Sequence, residues 1–145
     1  MELKKKIFMC LFFGCFGMAC EVFFVAFRNL FNNTPFCNEP IWSLTGKTYV
    51  WMFPIYILIP ILLGYILKHI KKRPLVVRLL IYTFLIYIIE FSSGFLLDYI
   101  TGRCPWEYTS GWHIMGYIRL DYLPSWLLFS FVVESLYRFI NNFQK

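Results

Sequence analysis

The chain has 145 residues, a one-domain length, and 59% of them are hydrophobic against 15% charged, which is too apolar for a water-soluble domain of this size. Its 17 Phe, 10 Tyr and 5 Trp run along the whole length, and the mean hydropathy is +0.61; both exclude a disordered, collagen-like or nucleic-acid-binding polypeptide with a separate basic arm. The formal charge of +6 then describes sidedness in a bilayer before it describes an anionic partner.

A hydrocarbon core of about 30 Å needs about 20 mostly apolar residues per helix, and four stretches meet that length. The first, 7–27, follows Lys4, Lys5 and Lys6 and carries Glu21 and bulky aromatics, so it reads as a retained helix rather than a cleaved signal. The second, 49–67, contains Pro54 and Pro60, which predict kinks or frayed turns, as Pro124 does at the start of the fourth. A basic turn with Lys68, Lys71, Lys72, Arg73 and Arg78 leads into the third, 75–97, and the fourth is 122–140. Basic residues concentrate at the start, in this turn and at Arg138 and Lys145, while the other two connections hold only Arg28, Lys47, Arg103 and Arg119. The positive-inside rule therefore places both termini in the cytoplasm and loops 28–48 and 98–121 outside, with Trp42, Tyr49, Trp51, Trp106, Tyr108, Trp112, Tyr117 and Tyr122 at the outer headgroup level. The predicted fold class is all-α, a four-helix polytopic protein of the plasma or inner membrane, with 1–145 as a single transmembrane domain.

An internal repeat is also predicted. At an offset of about 70, Gly46, Pro54 and Tyr56 fall on Gly116, Pro124 and Trp126; at one residue less, Glu21 falls on Glu90, and Cys37 and Cys104 both land in the following outer loop. The halves, about 7–67 and 75–140, read as two parallel-repeated hairpins related by an axis along the membrane normal.

Glu21, Glu90 and Glu134 lie inside spans, with no lysine or arginine expected at their depth. An ionised acid at mid-bilayer costs about 2.5–3.5 kcal/mol on insertion scales, so each side chain must face the bundle interior, be protonated or hydrogen-bond. Glu21 and Glu90 share a depth in the outer half, and Glu134 lies toward the cytoplasm. If the first two meet, one carboxyl carries a proton or receives a cation. On the alternative reading each acid is a structural peg bonded to Ser92, Ser93, Tyr82 or Tyr87. Gly14, Gly17, Ser92, Ser93 and Gly94 are the small residues that close approach around a polar cavity would need.

The segment from Gly102 to Trp126 is too aromatic for a plain solvated linker and is predicted to lie on the outer interface. Trp106, Glu107, Tyr108, His113, Arg119 and Asp121 are its candidate gate residues, and Asp98, Arg103, Glu107, Arg119 and Asp121 either form a polar lid or are solvated headgroup-level charges. Cys37 and Cys104 share the outer side and stand either bridged or free; Cys10, Cys15 and Cys20 read as small apolar residues of the first span. Asn32-Asn33-Thr34 reads as a glycosylation triplet. Metal-ligand spacing, a CxxC pair, a nucleotide fingerprint and catalytic-triad order are all missing from the sequence, which predicts no metal and no cofactor.

Trp106-Glu107-Tyr108-Thr109, then His113-Ile114-Met115-Gly116-Tyr117-Ile118, then Trp126 resemble the hallmark of the CmpB-like family labelled ABC-transporter type IV, which includes the transmembrane protein 229 group. Glu, Thr and His stand here where that hallmark has Asp, Ser and Asn. Gly17-x-x-x-Glu21 and the run from Ser43 to Tyr56 look like the first two helices of the 229 group, so the resemblance covers most of the chain. It implies a multi-pass, permease-like membrane protein and brings no catalytic residues.

The leading functional expectation is an intramembrane, carboxylate-bearing cavity that binds or passes a small solute, ion, proton or lipid headgroup, with Glu21, Glu90 and Glu134 as its ligands. A membrane-embedded enzyme acting on a lipid or isoprenoid is one alternative, and a structural or regulatory subunit of a membrane complex is another; a non-enzyme is favoured. The expected partners are the lipid bilayer and a second copy or another membrane subunit, with no nucleic acid.

Overall fold

A computed structural model of the chain describes residues 2–31 and 45–143; the glycosylation triplet, Cys37 and Trp42 lie outside the described residues. Among the described residues, five α-helices, α1 (Glu2–Phe31), α2 (Met52–Ile57), α3 (Ile59–Ile70), α4 (Leu75–Thr101) and α5 (Leu123–Phe143), alternate with loops and one short hairpin. Four segments among the described residues are long and apolar enough to cross a membrane: Leu3–Phe31, Met52–Ile70, Leu75–Thr101 and Leu120–Asn142. Each contains or closely overlaps one of the four expected spans. Large apolar side chains such as Phe23, Ile61, Phe84 and Leu128 stand exposed on the outer faces of these helices, as lipid contact requires. This is a multi-pass membrane architecture.

The chain divides into two compact units, Met1–Tyr65 and Ile66–Lys145. In the first, α1 packs against α2. The α1 face that is turned inward steps by about one turn through Met9, Phe13 and Gly17, and Glu21 continues the same row. Glycine in that row lets aromatic rings reach the helix backbone: a Cβ on Gly14 would stand 2.7 Å from the Phe53 ring, and one on Gly17 would collide with the Tyr56 ring. The room over Gly14 and Gly17, expected to border a polar cavity, is thus filled by α2. The second span is interrupted at Leu58, between α2 and α3. Pro60 has no N–H to give the Tyr56 carbonyl, so the chain takes a tighter turn there, with the Leu58 N–H on the Ile55 carbonyl at 3.2 Å. Pro54 and Pro124 sit in the first turns of α2 and α5, where a missing N–H costs little.

In the second unit α4 and α5 pack antiparallel. Pro74, in an extended conformation, starts α4; Gly102, at φ 77°, ends it in the left-handed cap that glycine adopts without strain, its N–H on the Asp98 carbonyl at 2.8 Å. The structure is mostly helical, as expected, with one short hairpin outside the helices. β1 (His113–Ile114) and β2 (Ile118–Arg119) form an antiparallel hairpin with His113 opposite Arg119 and Ile114 opposite Ile118. Met115 and Gly116 at its tip both have positive φ, 51° and 75°, the pattern of a type I′ turn, closed by the Tyr117 N–H on the Ile114 carbonyl at 3.0 Å. Met-Gly is not a strong turn signal, because a side chain with a Cβ is strained in that region. A short 3-10 turn, Leu120–Tyr122, then leads into α5.

Candidate functional site

Each of the three span carboxylates is held differently. Glu21, about ten residues before the end of α1 and half-buried, accepts a hydrogen bond from the Thr48 hydroxyl at 2.7 Å and a longer one from the Tyr56 hydroxyl at 3.4 Å, both on Oε2. Thr48 reaches it because Gly46, two residues earlier, lies against the Val22 carbonyl where any side chain would clash. Among the described residues Glu21 forms no ion pair.

Glu90, buried in α4 and about eleven residues before its end, accepts from the Tyr108 hydroxyl at 2.8 Å. Tyr108 belongs to a folded lid over the last turns of α4. Its N–H bonds the Gly116 carbonyl at 2.9 Å, and its ring meets Tyr122 edge-on at 5.8 Å. Tyr117 is the lid's anchor: its hydroxyl donates to Asp98 at 2.6 Å and its ring packs edge-on against Phe91 and Phe95. A Cβ on Gly94 would stand 3.3 Å from both Tyr117 and Cys104 Sγ, so that glycine admits the lid. The buried Trp106 indole donates to the Tyr117 carbonyl at 3.2 Å. Arg119 grips both oxygens of Asp121 at 2.7–3.0 Å, donates to the Tyr122 hydroxyl and lies 4.4 Å from the Tyr122 ring centre. Accepting that bond, the Asp98 carboxylate pushes the Tyr117 hydroxyl pKa up; Asp121 keeps Arg119 firmly charged; burial pushes the Cys104 thiol up.

Of the expected gate residues, Trp106, Tyr108, Arg119 and Asp121 are therefore joined in one lid through Tyr117 and Tyr122. Glu107 and His113 are exposed; His113 accepts the Gly116 N–H at Nδ1, at 3.3 Å, and so stiffens the hairpin tip. Cys104 carries a free buried thiol, and Cys37, its expected alternative partner, lies outside the described residues.

Glu134 corrects the expectation that no cation reaches the span acids. Arg78 takes it in a two-pronged grip, Nε to Oε2 at 3.0 Å and the second nitrogen to Oε1 at 2.8 Å, and Arg138, one turn further along α5, adds a bond to Oε1 at 2.7 Å. The carboxylate is buried, Arg78 nearly so, and Arg138 half exposed. Tyr82 completes the surroundings. Arg78, expected in the basic turn, stands one turn inside α4, so its guanidinium reaches the neighbouring helix.

The serine and tyrosine partners expected for the acids sort themselves otherwise. Ser93 bonds the Ile89 carbonyl of its own helix at 2.6 Å, and Tyr87 bonds the Leu120 carbonyl at 3.2 Å. Thr48, Tyr56, Arg78, Arg138 and Tyr117 were not singled out from sequence as partners of the acids or the lid. Only Arg138 had a local signal, the i,i+4 spacing from Glu134. Among the described residues no group of three His, Cys, Asp or Glu is placed to hold a metal.

Compared with known proteins, the chain matches no family model and no solved structure.

Proposed function

We propose that this is a permease-like membrane protein in which Glu21 and Glu90 each serve as an intramembrane station for a proton, a small cation or a polar headgroup. The observation that carries the reading is the setting of Glu21: a span carboxyl held only by hydroxyl donors on one oxygen, with no ion pair among the described residues. A structural acid in an apolar helix is normally neutralised by a fixed cation, as Glu134 is here; a hydroxyl-held carboxyl keeps its capacity to bind a proton or an exchangeable cation. Around Glu90 the lid of Trp106, Tyr108, Arg119 and Asp121 is the access control, and Tyr108 is its hinge contact because it touches both the acid and the hairpin. In this reading both termini face the cytoplasm, the two hairpins are parallel copies, and the kinship is with the CmpB-like membrane family. The protein works with the bilayer and with a second copy or a partner membrane subunit.

Proteoliposomes carrying an internal pH dye test it. Glu21→Gln and Glu90→Gln variants that fold normally are expected to lose most ion-driven proton movement, and Glu134→Gln is expected to act through stability. A double Glu21→Gln, Glu90→Gln protein that keeps full flux removes the proposal. Mass spectrometry of the protein in native lipid identifies the headgroup or small solute that travels with it.

A further inference from the structure

One face of α5 carries Trp126, Ser130 and Glu134 at successive four-residue steps, and the facing side of α4 carries Thr83, Tyr87 and Glu90. Two contacts set the antiparallel register: Arg78 on Glu134, and Tyr87 on the Leu120 carbonyl. Between them Thr83 stands five residues past Arg78 and Ser130 four residues before Glu134, so they lie about 7.5 Å and about 6 Å along the seam from the arginine clamp. Each is only 2% exposed.

Their hydroxyls, and the Trp126 indole N–H, are buried with no hydrogen-bond partner in the protein. The chain supplies its own contrast. Ser93, Thr101 and Ser135 all turn their hydroxyls back onto the carbonyl four residues earlier, at 2.6–2.8 Å, the usual solution inside an apolar helix. Thr83 and Ser130 make no such bond. A buried hydroxyl left unmade is among the costlier defects a fold can carry. Stations one helical turn apart, about 5.4–6 Å, are also at the reach of one bridging water with two hydrogen bonds of about 2.8 Å.

We propose that the α4–α5 seam is a binding site for internal water, held by Thr83, Ser130 and Trp126 one turn from the Arg78-clamped Glu134. The hydroxyls act as both donor and acceptor, and the indole as donor only, fixing the water's orientation. This water site does not depend on the reading of Glu21 and Glu90 given above.

The test uses the full chain in lipid nanodiscs and infrared spectra recorded in ordinary and oxygen-18 water. The wild type is expected to show a weakly hydrogen-bonded O–H band that shifts on isotope exchange. Thr83→Val with Ser130→Ala should abolish it, Thr83→Ser should keep it, and the double variant should unfold several degrees lower because the water loses its holders. A wild type without the band, or a band unchanged in the double variant, overturns the site. So does a double variant that unfolds higher, since removing truly unsatisfied hydroxyls is stabilising. Full proton flux in Glu90→Gln with the band intact would instead overturn the reading of Glu90 and leave the water site standing.

Discussion

Glu21 and Glu134 are the same residue in two span-length helices, and the fold treats them in opposite ways. Glu134 is clamped by two guanidiniums, one of them a planar fork that matches both carboxylate oxygens. Glu21 is touched on one oxygen by two hydroxyls. A clamped carboxylate is a fixed charge that cements α4 to α5, whereas a hydroxyl-held carboxyl can change its proton or its counter-ion without losing a structural partner. The contrast separates an acid that holds helices together from one suited to exchange.

The clamp is where the contrast breaks most sharply. Arg78→Met strands a buried carboxylate with only its half-exposed i,i+4 partner, and breaking a buried pair from one side costs about 3–5 kcal/mol, to be discounted for the partial exposure of Arg78 and the surviving Arg138 bond. Unfolding in mixed micelles measures it. Arg78→Met combined with Glu134→Met should recover much of the loss, since the only charge left unpaired, Arg138, is half exposed to begin with. Next in size is Gly94→Leu: an added side chain meets Cys104 and Tyr117, and overpacking of this kind costs about 1–3 kcal/mol. The same substitution should lift the lid, so proteolysis within residues 103–112 would quicken while cleavage in the first unit stays unchanged.

The spans were legible because twenty apolar residues in a row have few alternatives, and the carboxylates stood out against them. Their partners were not. Thr48 meets Glu21 only because Gly46 lets the chain lie against α1, and Tyr56 only because Gly17 leaves room for its ring. Those are contacts between segments far apart in sequence, set by missing side chains rather than by a motif. Arg78 misled by position: counted as part of the basic turn, it is one turn inside α4, where a long stem carries its charge to Glu134. The hairpin was hidden for a local reason, since Met115 takes a positive φ that its Cβ disfavours and that turn propensities do not forecast. The aromatic content of that stretch did forecast that it would be packed, as Trp106 and Tyr117 are.

Thr48→Val sharpens the contrast from the other end. It removes the shorter bond to Glu21 at nearly constant volume, and hydrogen bonds within membrane proteins average about 0.6 kcal/mol, so unfolding should barely move. The Glu21 carboxyl stretch in the infrared should shift all the same, because its strongest donor is gone. A loss as large as that of Arg78→Met would make Glu21 a structural acid like Glu134.

The smallest effect concerns the Cys104 thiol, which sits under the lid against Gly94. Burial raises its pKa above the ordinary thiol value, so at neutral pH even less of it is thiolate than of a free cysteine, and the thiolate is the reactive form. In a protein with Cys104 as its sole cysteine, maleimide labelling should be slow at pH 7 and should rise only at a pH above the range where free thiols already react. Tyr117→Phe loses the bond to Asp98 that anchors the lid, at a cost of about 1 kcal/mol. It should therefore quicken that labelling by letting the lid open more often, with little change in overall unfolding. Unchanged labelling in Tyr117→Phe would mean that ring packing against Phe91 and Phe95, rather than the hydroxyl, keeps the lid shut, and would move the access control from a polar latch to an apolar one.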